Sequence, residues 1–88
     1  MARIVVERSF PEPLEETDLE LANARLGPCL VQFGARHVRS LVAPDGRRTL
    51  CEFEGPDAES VRMANRMAEV PFERVWTARV FAPAGERP

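Results

Sequence analysis

Ser40-Leu41-Val42-Ala43-Pro44-Asp45-Gly46-Arg47-Arg48-Thr49-Leu50-Cys51-Glu52-Phe53-Glu54-Gly55-Pro56-Asp57 holds a turn, the strands on either side of it and the entry to a helix. Pro44 presets φ for the second turn position, and Gly46 can take the left-handed geometry that follows, so Pro44-Asp45-Gly46 reads as a hairpin. Upstream the pattern has period two: Val38, Ser40 and Val42 point one way, and His37, Arg39 and Leu41 the other. Downstream, Arg48 to Glu54 reads as a strand with Cys51 and Phe53 on one side and Leu50 and Glu52 on the other. Gly55-Pro56 ends it, and Asp57 is an N-cap for a helix in which Val61, Ala64, Met67 and Ala68 recur at helical spacing.

Outward from this hairpin the chain repeats the theme. Arg3-Ile4-Val5-Val6-Glu7-Arg8-Ser9 is a strand pattern, stopped by Phe10-Pro11-Glu12-Pro13 because two prolines cannot continue a ladder. Thr17 followed by Glu20 has capping-box spacing, and Leu19, Ala22, Leu26 and Leu30 share one face of the helix that follows. Gly27-Pro28 predicts a kink or break there, since proline lacks the N–H the helix needs. Gly34 is the helix stop. After Pro71, Glu73 to Phe81 reads as a last strand. Residues 1–82 make one domain and 83–88 a flexible tail.

The order β-α-β-β-α-β predicts an α+β, ferredoxin-like sandwich: a four-stranded antiparallel sheet with two helices on one face. The opposite, open face then carries Val5, Leu41, Leu50, Trp76 and Val80 among Glu7, His37, Arg39 and Glu52. An apolar face normally packs against another layer, and the simplest cover is a second copy. The expectation is a homodimer through the open sheet face, forming a dimeric α+β barrel with a cavity between the sheets.

The totals narrow the function. The chain has 88 residues, 44% hydrophobic and 30% charged, in the range of a folded globule. Its net charge of −2 removes the electrostatic reason to expect nucleic acid or an anionic membrane as partner. All twelve cations are arginine. The N-terminal apolar run ends at Glu7 and Arg8, too short for a signal peptide, and no segment approaches the ~20 apolar residues of a membrane span, so a cytoplasmic protein is expected. Cys29 and Cys51 lie in no paired spacing, and buried free thiols are the simplest reading. The Gly-rich phosphate loop, CxxC, HExxH and GxSxG motifs do not occur.

His37 is the only histidine, and the alternation sets it on the open face beside Arg39. There it could be a metal ligand or a proton-transfer group, provided Glu7, Glu52 or a second chain completes the site. Glu7 and Glu52, on neighbouring strands, could share a proton or bind a cation; their alternative is ion pairing with Arg39 or Arg79. Cys51 alternates with the open-face residues and should lie under the helices, away from the access a nucleophile needs.

Two blocks, Val5-Val6-Glu7-Arg8-Ser9-Phe10-Pro11-Glu12-Pro13-Leu14 and Val42-Ala43-Pro44-Asp45-Gly46-Arg47-Arg48-Thr49-Leu50-Cys51-Glu52-Phe53-Glu54-Gly55-Pro56-Asp57-Ala58-Glu59, resemble a family of small bacterial domains, some members of which are nickel-binding proteins. The resemblance runs from about Arg3 to Val80 and implies a ferredoxin-like homodimer with nickel or another divalent metal as ligand. Glu7 matches the family pattern as a metal ligand; His37, where members favour Trp, is the second metal candidate on the reading of the residues alone. Members tend to have His-Ser-Tyr where this chain has Arg39-Ser40-Leu41, and histidine where it has Ala64. A guanidinium in place of an imidazole repels a divalent cation and attracts an anion.

Three functions follow as expectations, the plainest being a structural or regulatory dimer whose open face serves only to associate. Another is a homodimeric binding protein that holds a divalent metal or small ligand at Glu7, His37, Arg39 and Glu52 between the subunits. The alternative is a cofactor-independent enzyme of monooxygenase, cyclase or isomerase type, with His37 as acid/base and Arg39 as oxyanion clamp in the barrel cavity.

Overall fold

The computed structural model describes residues 1–84. In chain order its elements are β1 (Ala2–Ser9), α1 (Glu16–Gln32), β2 (Arg36–Val42), β3 (Arg48–Gly55), α2 (Ala58–Met67) and β4 (Arg74–Ala78). The strands form one antiparallel sheet in the order β2-β3-β1-β4. This is the ferredoxin-like α+β fold the sequence predicts. Of the expected tail, residues 85–88 lie outside the described residues.

The period of two places the core. Ile4 and Val6 of β1 sit opposite Phe53 and Cys51 of β3, all facing the helices, and Leu26 and Leu30 of α1 with Val61 and Ala64 of α2 close over them. In the hairpin, the Gly46 N–H donates to the Ala43 carbonyl at 2.8 Å and Gly46 takes φ +71°, as its turn chemistry requires. Gly34, at φ +72°, ends α1.

Four local expectations are corrected. Helix α1 starts two residues earlier than Thr17–Glu20 suggests: Glu15 is its N-cap, and its N–H donates to the Asp18 carboxylate at 2.9 Å. Pro28 does not break α1, which runs through it to Gln32. Gly27 has no Cβ to collide with the proline ring, and Pro28 and Ala24, whose carbonyl loses its partner, are both exposed to water. β4 is shorter than the 73–81 pattern and ends at Ala78.

The fourth correction matters most. β2 is bulged between His37 and Arg39: His37 pairs with Phe53, while Arg39 pairs with the adjacent Glu52, so Val38 is the extra residue. Strict alternation holds from Arg39 onward and fails before it. His37 therefore faces the helices, in the company of Ser40, Cys51 and Phe53, and not the open face.

Candidate functional site

The four residues expected to form one site are divided between the two faces of the sheet. Glu7, Arg39 and Glu52 are on the open face, in two separate clusters. Glu52 accepts from Arg3 Nη1 at 2.6 Å and from Arg39 Nε at 2.9 Å. Arg3 also reaches Glu54 at 3.6 Å, and Arg36 pairs with the same carboxylate. On the other side of β1, Glu7 accepts from Trp76 Nε1 at 2.7 Å and from Arg74 Nη2 at 2.9 Å. Burial works to raise the Glu52 pKa, but the hydrogen bonds and charges of Arg39 and Arg3 outweigh it and hold it below the ordinary carboxylate value. The hydrogen bond from Trp76, followed by that from Arg74, lowers Glu7 in the same way. Both carboxylates are ionised and already occupied by protein donors.

His37 stands on the helix-facing side, its ring 5.2 Å from that of Phe53. Its Nε2 is 2.8 Å from Ser40 Oγ, and that hydroxyl donates to Cys51 Sγ at 3.1 Å. Burial, opposed by a backbone hydrogen bond at Arg39 and reinforced by the charge of Arg8, lowers the His37 pKa below 6.5, so the imidazole is neutral at neutral pH. The enzyme reading needs His37 and Arg39 to meet one substrate, and opposite sheet faces prevent that.

These groups line a cleft of about 430 Å³ between α1 and the sheet. Its walls are mostly apolar, with Phe10, Leu14, Leu19, Leu26 and Phe53 among them. Its buried and half-buried polar groups come from the sheet, Arg8 from β1, His37 and Ser40 from β2, and Thr49 and Cys51 from β3, whereas those of α1, Glu16, Asp18, Glu20, Asn23 and Arg25, are exposed. Arg8 is only 6% exposed, yet it is a cation in the same row as Ile4 and Val6. Its Nη2 donates to Asn65 Oδ1 at 2.7 Å and its Nη1 to the Pro71 carbonyl at 2.9 Å. Asn65, on α2, is fully buried and donates in turn to the Val61 carbonyl at 2.8 Å. Burial lowers the Arg8 pKa, and the nearby Cys51 sulfur partly offsets this. Among the described residues, no carboxylate forms an ion pair with Arg8.

Sequence reading missed Arg8, Asn65 and Ser40 as site residues. Arg8 was within reach of it, because Ile4, Val6 and Arg8 share one parity in β1. Nothing in the sequence marks the bulge at Val38, and without the bulge neither His37 nor its contact with Ser40 can be placed.

A four-stranded sheet covered on one face by two helices, with a cleft beneath α1, defines a small ferredoxin-like α+β domain. The chain belongs to the SCO4226-like family: the family model described as "Nickel responsive protein SCO4226-like" matches residues 5–77. Among solved structures, SCO4226 from Streptomyces coelicolor A3(2) superposes with a TM-score of 0.83 at 16% identity, covering 92% of this chain and 100% of that one. At that identity the likeness speaks for the fold. No curated protein matches the chain.

The residues present fit a nickel ion poorly. Among the described residues, no group of three or more His, Cys, Asp and Glu is placed to hold a metal. The cleft offers one imidazole and one thiol beside a guanidinium, and the open-face carboxylates are engaged by arginines.

Proposed function

We propose that this member of the nickel-responsive family is a small-molecule-binding protein whose site is the cleft between α1 and the sheet. The observation that carries this reading is the convergence of Arg8, His37, Ser40, Thr49 and Cys51 on the sheet side of an apolar-walled cleft. Binding pockets typically enclose roughly 300–1,000 Å³, mostly apolar with a few convergent polar groups, and this cleft has that size and that lining. A fragment screen followed by amide NMR tests the reading. Binders should move the amides of Leu26, Ser40 and Cys51, and Ala22→Trp, which fills the cleft wall, should abolish those shifts. Shifts confined to other surfaces would overturn it. Nickel in the same assay is expected to leave the cleft amides sharp. Stoichiometric paramagnetic broadening centred on His37 and Cys51 would show that the cleft holds the metal itself.

A second reading concerns assembly. Leu41 and Trp76 lie on the sheet face that no helix covers and remain 53% and 43% exposed. We propose that a second copy of the chain covers that face.

A further inference from the structure

Arg8 is the one group in the cleft whose surroundings do not balance it. An arginine this deeply buried ordinarily faces a carboxylate, because removing a cation from water costs several kcal/mol unless a counter-charge offsets it. Here the acceptors are an amide oxygen and a backbone carbonyl, both neutral, and they leave further guanidinium N–H groups for another acceptor. Among the described residues no carboxylate stands beside it: His37 is neutral, Ser40 and Thr49 are hydroxyls, and the Cys51 sulfur only partly offsets the burial. One buried cation thus stands among the mostly apolar walls of the cleft, with the other charged lining residues, Glu16, Asp18, Glu20 and Arg25, exposed.

Building on the binding-site reading above, we propose that the cleft takes a small amphipathic monocarboxylate, its carboxylate against Arg8 and its hydrocarbon body along the wall of α1. A planar carboxylate matches the guanidinium fork and supplies the single negative charge that is lacking. The hydrocarbon part meets Leu14, Leu19 and Leu26 on the way in. A multiply charged phosphate fits less well. The other lining cation, Arg25, is exposed and donates to the Glu69 carbonyl at 3.4 Å, and the lining carboxylates Glu16, Asp18 and Glu20, also exposed, would repel extra negative charge.

The probe is hexanoate, compared with 1-hexanol and hexylamine on the wild-type protein by calorimetric titration and amide NMR. Hexanoate is expected to bind at least tenfold more tightly than either analogue and to shift the Arg8 side-chain Nε–H and the His37 ring resonances. Arg8→Gln should erase the preference for hexanoate over hexanol. The wild-type comparison decides the matter even if that variant does not fold. Equal cleft binding of hexanol and hexanoate would overturn the carboxylate assignment and leave the binding site standing. Failure of all three probes and of the fragment screen to reach the cleft would overturn both.

Discussion

Asn65 accepts from Arg8 and donates to Val61, so a single amide joins β1 to α2 in the interior. Asn65→Leu keeps most of the volume but leaves a charged N–H without its acceptor, which costs about 2 kcal/mol; urea unfolding should show that loss, and Asn65→Asp should reverse much of it by supplying a counter-charge. His37 gives a pH signature. Its folded pKa lies below the unfolded value of 6.5, so its contribution to stability is fully present above 6.5 and is lost as pH falls from there towards the folded value. Removing the Arg8 charge should raise the His37 pKa measured by imidazole NMR, with burial still keeping it below 6.5. Glu52 is a carboxylate with the corresponding dependence: depressed in the fold, it stabilises above 4.5 and that stability disappears as pH falls through its folded pKa. Glu52→Gln should therefore flatten the acid limb of the stability profile.

At the scale of elements, most of the fold could be read from turn chemistry and period. The Pro44-Asp45-Gly46 turn and the Gly34 stop demand particular backbone geometry and impose it regardless of tertiary context. Gly46→Ala should cost about 1–2 kcal/mol, because the residue sits at positive φ and a Cβ there would lie 3.2 Å from the Leu14 backbone. Helix α1 was harder to read, because the propensity penalty at Pro28 is real but is outweighed by packing of Leu26 and Leu30 on either side of it. Pro28→Ala should accordingly raise stability by about 1 kcal/mol or more, visible as a higher melting temperature. The bulge in β2 has no comparable signal: Val38 is an ordinary strand residue, and the extra residue is accommodated by pairing to β3, a non-local matter.

For the whole molecule, the layer architecture was legible and the site was only partly so. Alternation placed Glu7, Arg39, Glu52 and Cys51 on their correct faces, whereas His37 was displaced by the bulge and Arg8 went unnoticed. The proposed assembly has its own test. Sedimentation equilibrium should give a dimer for the wild type and a folded monomer for Leu41→Arg, which sets a charge in the middle of the uncovered sheet face; a wild-type monomer at high concentration would rule out that association. Val38 acts on the molecule as a frame shift does on a message. Arg36 and Arg39, three positions apart, would address opposite sides of a regular strand, yet here both reach open-face carboxylates while the histidine between them is turned inward. A relative that kept Val38 but paired it in regular register would keep the same letters and exchange their addresses: its imidazole would meet the outer layer, one guanidinium clasp would be lost, and the inner chamber would have no imidazole. Residue-by-residue comparison across that point therefore compares different compartments of the protein unless the inserted residue is counted first.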